Sequence, residues 1–267
     1  MHFSVYGQSQ HPCLVFLHGF LGSGSDWQAQ IAVLSQHYYC VTVDIAGHGM
    51  SAQQRLKPRN AFKDFSHQLT ACLKRLKIAH YHLVGYSLGG RLALQHALLA
   101  PKGIERLVIE SANTGLSDED ARQQRLVHDN RWADRWLTEP LDTLVNEWYQ
   151  QAVFANLSSE QRQQLIQRRQ HQDRQGIAAT LRATSLGLQQ DLSRQLGQLK
   201  MPLDFIGGSL DNKYQALAKQ LQQDYPRLKC HIIEGAGHNC HFEQPTLFLE
   251  QLSSVLNNDR EENDPNR

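Results

Sequence analysis

Apolar runs of three to five residues alternate along the chain with longer segments of helical periodicity. Runs this short and this continuously apolar are typical of parallel strands that are buried on both faces. The predicted strands are Cys13–Leu17, Tyr39–Val43, His82–Gly85, Leu107–Ile109, Leu203–Ile206 and His231–Ile233.

The segments between these runs place apolar residues on one side and polar residues on the other, which predicts amphipathic helices. Alternation of strand and helix favours right-handed βαβ crossovers, so we expect an α/β fold with a mostly parallel, doubly wound sheet. The predicted helices are Asp26–Ser35, Phe62–Leu76, Leu88–Leu99, Lys213–Gln223 and Leu247–Leu256.

One long segment interrupts the alternation. Residues 113–200 contain no convincing strand but have helical spacing of large residues, as at Trp132 and Trp136. A helical insertion of this kind usually covers the carboxyl edge of the sheet, where such folds bind ligands. We therefore predict four parts: a first core segment, 1–112; a helical cap, 113–200; a second core segment, 201–256; and a polar, disordered tail, 257–267.

Charge and composition exclude several classes of protein. The 27 basic and 26 acidic residues give a net charge of +1, which argues against nucleic-acid binding. No apolar stretch approaches the roughly 18 residues of a membrane span, and residues 1–10 do not resemble a secretion signal. The five cysteines are scattered without a CxxC pair, as in reduced proteins. We expect a cytoplasmic protein without membrane insertion.

The strongest chemical signal is the segment GYSLG, residues 85–89. It follows an apolar run and opens a helix, which is the context of a nucleophile elbow. The elbow places Ser87 on a sharp turn, and the following helix amides lie where negative charge develops. The segment therefore predicts Ser87 as nucleophile or base, with the Leu88 N–H as one oxyanion donor.

A reactive serine needs a histidine, and the histidine needs a carboxylate that orients it. His238 lies in a glycine-bearing loop after the last predicted strand. Asp211 follows the strand that begins at Leu203, whereas the rival Asp204 lies inside that strand. Because triad residues sit on loops past strand ends, we favour Asp211 and predict Ser87, Asp211 and His238 as a catalytic triad without a metal.

A second oxyanion donor is expected from the loop after the first apolar run. The sequence His18-Gly19-Phe20 matches the HG-type loop of hydrolases, so we assign the Phe20 N–H. Residues 44–51 form another loop punctuated by glycines, and we interpret those glycines as structural.

These motifs resemble the α/β-hydrolase superfamily, and the likeness covers essentially the whole chain. It implies a helical cap inserted after the sixth strand. Several stretches also resemble one family, the 2-succinyl-6-hydroxy-2,4-cyclohexadiene-1-carboxylate synthases of menaquinone biosynthesis. The stretches are VFLHGFLGSGSDWQ, VGYSLGGR, RWLTEPLDTLVNEWYQQAVFA, LRATSLGLQQDL and GAGHNCHFEQP.

This resemblance implies a lyase that eliminates pyruvate from an enolpyruvyl precursor without a cofactor. The implied substrate carries three carboxylates, which arginine binds well because it stays charged when desolvated. Arg122 is the alternative to Arg125, and Arg168 is the alternative to Arg169. The family's substrate-binding residues correspond to Tyr86, Arg91, Arg125, Trp148 and Arg169.

Ten of the 18 arginines lie between Arg122 and Arg194 in the predicted cap, so the near-zero net charge does not exclude a small anionic ligand. The expected partner is that small-molecule tricarboxylate, bound by the chain as a monomer. Two alternatives stay open. The same triad suits an esterase, a thioesterase or a C–C bond hydrolase. A non-catalytic receptor on this scaffold is the other.

Overall fold

The computed structural model describes residues 1–262, with side chains described as far as residue 257. A seven-stranded sheet forms its centre, in the order β1-β3-β2-β4-β5-β6-β7. β1 is antiparallel to β3, and all other neighbours are parallel. The strands are β1 His2–Tyr6, β2 Cys13–Leu17, β3 Tyr39–Asp44, β4 Tyr81–Tyr86, β5 Ile104–Glu110, β6 Leu203–Gly208 and β7 Lys229–Ile233.

The predicted mostly parallel, doubly wound sheet is confirmed, and each predicted strand lies within an observed one. β1 is absent from the sequence prediction. It is an edge strand whose residues are mostly half-buried, so it lacks the continuous apolar run that marks the central strands. The helices are α1 Gln28–Leu34, α2 Ala61–Arg75, α3 Leu88–Leu99, α4 Glu119–Thr138, α5 Leu141–Trp148, α6 Ser159–Arg168, α7 Arg174–Ala183, α8 Asn212–Asp224, α9 Cys240–Glu243 and α10 Pro245–Glu262.

The sheet has a hydrophobic core on each face, because successive side chains of a strand point to opposite sides. In β2, Val15 and Leu17 join the cluster that includes Phe65 of α2 and Leu92 of α3. The alternate residue Phe16 joins the other cluster, which α1 and α10 cover. Helices therefore shield both faces, and the loops at the carboxyl ends of the strands remain open to ligands.

The helical insertion lies between β5 and β6 and contains α4 to α7. It follows the fifth strand, so the expected position after the sixth strand is wrong. Only one antiparallel strand, β1, precedes the parallel strands in the described chain, so β5 is the last strand before the insertion. The insertion has its own hydrophobic cluster, centred on Trp132, Trp136 and Leu144.

The start of the predicted disordered tail, 257–267, is helical. α10 continues through Glu262, because the buried face of Leu252, Val255 and Leu256 anchors a helix that extends at little cost. Residues 263–267 of that tail lie outside the described residues. No helix of the described chain has the length and apolar character needed to cross a membrane.

Candidate active site

Ser87 occupies the turn between β4 and α3, with a backbone φ of 47° and ψ of −107°. A non-glycine residue with positive φ is strained, and strain of this kind clusters at functional sites. Glycines at both ends of the elbow make the turn possible. A Cβ at Gly85 would lie 2.6 Å from the carbonyl oxygen of Gly89, and one at Gly89 would lie 2.3 Å from that of Leu17.

Ser87, His238 and Asp211 form one hydrogen-bonded chain. The Ser87 Oγ lies 3.2 Å from His238 Nε2, and His238 Nδ1 lies 2.9 Å from Asp211 Oδ2. Asp211 also caps α8, since its Oδ1 accepts the Tyr214 N–H at 3.2 Å. The helix cap fixes the carboxylate, the carboxylate orients the imidazole, and the imidazole is placed to accept the serine proton.

The rival carboxylate, Asp204, has other partners. It is 1% exposed and forms a buried ion pair with Arg106. Its Oδ1 also lies 2.7 Å from His231 Nε2 on β7. Its position inside β6 therefore directs it to the neighbouring strands, and Asp211 is the carboxylate that meets His238.

Two further carboxylates support this arrangement, and the sequence analysis did not identify either. The backbone carbonyl of Glu110, at the end of β5, accepts the Ser87 N–H at 2.8 Å. The Glu110 side chain holds both the N–H and Nδ1 of His241, at 3.0 and 2.7 Å. Glu243 accepts the amides of Gly237 and Asn239. His241 and Glu243 lie three and five positions after His238 in the motif GHNCHFE, and this proximity was the signal in the sequence that could have identified them.

The loop that carries Phe20 is held by two buried histidines. The Nε2 atoms of His18 and His48 accept the N–H groups of Ile45 and Leu21 at 3.0 and 3.1 Å. Burial lowers the pKa of His18, and burial together with nearby His18 lowers the pKa of His48 to about 3. Both rings are therefore neutral at pH 7 and keep the lone pairs that these amides require.

The loop after β3 is structural, as predicted from its glycines. Gly47 has a φ of +84°, and a Cβ there would lie 2.4 Å from the Gly176 carbonyl oxygen of α7. Thr180, also on α7, donates to the Ala46 carbonyl at 2.7 Å. This loop therefore packs closely against α7 and joins the core to the cap.

A cavity of about 610 Å³ lies between the carboxyl edge of the sheet and the cap. It contains the predicted triad, both predicted oxyanion residues and four of the five predicted substrate-binding residues. The charged and aromatic residues that line it are Phe20, Tyr86, Arg91, Arg125, His128, Asp129, Trp148, Phe154, Asp211, Lys213, Tyr214 and His238, together with Ser87 and Leu88.

Arg91 is a buried cation whose hydrogen-bond partners are neutral. It is 9% exposed, and its Nε donates to the Gln189 side chain at 2.5 Å while Nη2 donates to the Thr184 carbonyl. No carboxylate of the described chain lies within ion-pair distance. Burial, and then nearby Arg125, lowers the pKa of Arg91 to about 10. Arg91 stays charged at pH 7 in a place where a buried charge requires a counterion.

Arg125 lines the same cavity and is 35% exposed. Its Nε contacts both oxygens of Asp129, at 2.8 and 2.9 Å. The alternative, Arg122, does not line this cavity and instead donates to the Gly187 carbonyl at 3.1 Å. The structure therefore favours Arg125 of the two.

Tyr86 and Trp148 form apolar walls of the cavity. The Tyr86 ring lies 5.6 Å from the His238 ring and 5.0 Å from the His241 ring, measured between centroids. Burial raises the pKa of Tyr86 well above its usual value, so the phenol stays protonated. The Trp148 ring lies 4.9 Å from Phe20, which places it over the predicted oxyanion loop.

Arg169 lies outside the cavity lining among the described residues. It is 5% exposed, and it donates to Asp26 at 2.8 Å and to the Tyr149 hydroxyl at 3.2 Å. Burial alone would raise the pKa of Asp26, but the Arg169 guanidinium outweighs burial and holds it below its usual value. The alternative, Arg168, is exposed over the Phe242 ring. Neither arginine is among the described residues that line the cavity, and the role of Arg169 in substrate binding stays a prediction.

Tyr214 and Lys213 also line the cavity and were not predicted from the sequence. The Tyr214 ring lies 4.7 Å from the His238 ring and is 9% exposed. Both residues follow Asp211 within three positions, so proximity to the predicted triad carboxylate was the signal that could have found them.

Comparisons with known proteins agree with this geometry. The family model described as alpha/beta hydrolase fold matches residues 12–245. A 2-succinyl-6-hydroxy-2,4-cyclohexadiene-1-carboxylate synthase of Salmonella arizonae is 41% identical over 94% of this chain and 96% of its own length. One from Salmonella typhimurium is 40% identical over the same shares.

Solved structures share the fold. The structure of MenH from S. aureus has a TM-score of 0.90 and 28% identity, covering 97% of this chain and 99% of its own. An enol-lactonase from Burkholderia xenovorans has a TM-score of 0.79 and 21% identity, covering 96% of each chain. At that identity, the second likeness concerns the fold alone.

Proposed function

The chain belongs to the alpha/beta hydrolase fold family and, within it, to the 2-succinyl-6-hydroxy-2,4-cyclohexadiene-1-carboxylate synthases, and from this premise we propose the reaction that it catalyses. The substrate is 2-succinyl-5-enolpyruvyl-6-hydroxy-3-cyclohexene-1-carboxylate. The enzyme eliminates pyruvate from it and gives the cyclohexadiene product of menaquinone biosynthesis. We expect the enzyme to work in the cytoplasm.

The reaction begins with removal of a ring proton. Asp211 orients His238, and His238 accepts the proton of Ser87 as the serine oxygen takes the ring proton alpha to the succinyl ketone. The 3.2 Å distance from Ser87 Oγ to His238 Nε2 suits this transfer. The serine is a base in this scheme, so no acyl-enzyme forms.

The negative charge moves to the ketone oxygen, where the N–H groups of Phe20 and Leu88 stabilise it. Such donors typically contribute about 10²–10³ in rate each. When the electrons return, a C=C bond forms between ring carbons 2 and 3, the existing C=C bond shifts from carbons 3 and 4 to carbons 4 and 5, and the bond from carbon 5 to the enolpyruvyl oxygen breaks. The departing enolate takes the proton from His238 and becomes pyruvate, which restores the resting triad.

The observation that carries this proposal is the unpaired charge of Arg91 beside the Ser–His pair. A buried guanidinium with only neutral protein partners is stabilised when an anion enters the site. Arg91 is one such cation, and Arg125, which pairs with Asp129, is a second cation at the cavity for a substrate with three carboxylates. Tyr86 and Trp148 line the cavity where the ring would lie. A neutral ester would leave the Arg91 charge without a counterion.

The direct test is a coupled assay for pyruvate release from the enolpyruvyl substrate. It is run beside a p-nitrophenyl ester and an aryl-CoA thioester. We expect the enolpyruvyl substrate to have the highest kcat/KM, and Ser87→Ala to abolish pyruvate release. Ser9→Ala, an exposed serine, is the matched control. Unchanged turnover in Ser87→Ala would contradict the role of Ser87, and absence of turnover of every substrate by the wild-type protein would favour a non-catalytic receptor.

A hydrolase is the second candidate, because the same triad and oxyanion donors would stabilise an acyl-transfer intermediate. Solvent labelled with ¹⁸O separates the two reactions. A hydrolase incorporates the label into a product acid, and pyruvate elimination does not. A trapped acyl group on Ser87 with the natural substrate would also contradict the base mechanism.

A further inference from the structure

The cations that line the cavity can be compared with the three carboxylates of the proposed substrate. Three carboxylates enter with the proposed substrate, but Arg169 already has Asp26 as its counterion and does not line the cavity. Among the described residues, the lining cations besides the histidines are Arg91, Arg125 and Lys213. The third position therefore falls to Lys213, which the family resemblance did not point to.

Lys213 stands at the second position of α8, two residues after Asp211. Its side chain is exposed, and its Nζ lies 5.7 Å from the centre of the Tyr214 ring. It forms no ion pair with a carboxylate of the described chain. The ammonium group is therefore available to a ligand that occupies the cavity beside His238.

The placement of Lys213 is unfavourable for the helix on its own. The first turn of a helix carries partial positive charge, so acidic residues stabilise it and a lysine destabilises it. Within the first turn itself α8 has no acidic residue, and the nearest carboxylate is the N-cap Asp211, which is engaged with His238 and the Tyr214 N–H. Sequences that break a local rule in this way often do so at functional sites.

The three cations differ in depth. Arg91 is 9% exposed, Arg125 has a side chain 35% exposed, and Lys213 is exposed at the rim. A carboxylate that stays on the ring can be held by the buried cation throughout the reaction. The carboxylate that departs must reach solvent. A hydrated, flexible cation at the rim can release it without leaving a buried charge unpaired.

We propose that Lys213 binds the carboxylate of the enolpyruvyl group, the part of the substrate that leaves as pyruvate. This inference rests on the proposed function. It makes Lys213 a determinant of specificity for substrate over product, since the product has lost that carboxylate and keeps the other two.

The test compares Lys213→Met with Lys213→Arg, using Lys219→Met as the matched control on the exposed surface of the same helix. Each variant is assayed for KM and kcat with the enolpyruvyl substrate, and for the inhibition constant of the cyclohexadiene product. Circular dichroism and thermal unfolding verify the fold of each variant.

We expect Lys213→Met to raise KM by about tenfold, the effect of losing one charge-assisted contact, with kcat within about threefold. Lys213→Arg should restore KM to within about threefold, because it keeps the charge. The inhibition constant of the product should stay unchanged in both variants, and Lys219→Met should behave as wild type.

An unchanged KM in Lys213→Met would overturn the inference. A product inhibition constant that rises with KM would also overturn it, since Lys213 would then bind a carboxylate that stays on the ring. Failure of the proposed function is a separate result, because it would appear as absence of pyruvate release by the wild-type enzyme.

Discussion

The carboxylate of Glu243 bridges the backbone on both sides of His238. Its Oε2 accepts the Gly237 N–H at 2.7 Å, and its Oε1 accepts the Asn239 N–H at 2.8 Å. Glu243 is 8% exposed, and burial raises the pKa of its carboxyl group. One side chain thus holds the peptide groups before and after the histidine, which fixes the imidazole relative to Ser87.

Glu243→Gln should lower kcat more than it changes KM. A glutamine offers one acceptor oxygen, so its NH₂ group would face one of the two amides and leave that donor unsatisfied. We expect a loss of about 1–3 kcal/mol in the free energy of unfolding and about a tenfold fall in kcat. Steady-state kinetics and denaturant unfolding measure both. Exposed Glu250→Gln is the control, and an unaltered kcat would refute a positioning role for Glu243.

Arg91→Met should weaken substrate binding without a comparable loss of stability. Loss of a charge-assisted contact in a buried site should raise KM by about 10–100-fold. Removing an unpaired buried charge offsets the lost bonds to Gln189 and Thr184, so the free energy of unfolding should fall by no more than about 1 kcal/mol. Arg59→Met, at an exposed position, is the control. A large loss of stability with normal KM would mean that Arg91 is structural.

The buried pair of Arg169 and Asp26 should behave as an anchor between the cap and the loop after β2. Arg169→Met leaves the Asp26 carboxylate buried without its counterion, which should cost about 3–5 kcal/mol of stability. Adding Asp26→Asn should recover most of that loss. The double-mutant cycle uses thermal unfolding and kcat/KM.

If Arg169 acts through this anchor, activity should recover together with stability in the double variant. A double variant that is stable yet has a strongly raised KM would show instead that Arg169 binds substrate, as the family resemblance implies.

The free energy of unfolding should fall as pH decreases from about 6.5 to 4, and His96 should account for part of this. His96 is 1% exposed and lies 2.8 Å from both the Ser66 and Tyr81 hydroxyls. Burial lowers the pKa of His96 from 6.5 to about 4. The unfolded chain therefore binds more protons in this range, so stability is present above pH 6.5 and is lost as pH falls.

Lowering the pKa of His96 from 6.5 to about 4 corresponds to a loss of about 3 kcal/mol in the free energy of unfolding once the histidine is protonated in both states. Thermal unfolding across this pH range measures the slope. His96→Gln keeps hydrogen-bonding groups but does not titrate, so its slope should be shallower than that of wild type. An exposed histidine changed in the same way, His67→Gln, should leave the slope unaltered. Equal slopes for wild type and His96→Gln would contradict the assignment.

Much of the fold was predictable because its signals are local. Helix Leu88–Leu99 has the predicted bounds, and strands β2 to β7 contain their predicted runs. The elbow was also predictable, because its sharp turn brings backbone atoms so close to Gly85 and Gly89 that a Cβ at either position would clash. The first strand was not, because an edge strand can be half-polar and still pair fully with its one neighbour.

The sequence by itself determined the alternation of the parallel strands with the core helices, the elbow at Ser87 and the loops that carry Asp211 and His238. These features depend on periodicity and on residues within a few positions of each other. The tertiary structure decided which charges face the cavity. Arg169 meets Asp26, a residue 143 positions away, and is neutralised there, whereas Lys213 has no such partner. Burial and ion pairing depend on contacts between distant segments, so the chain pattern could not distinguish an anchoring arginine from a ligand-binding one.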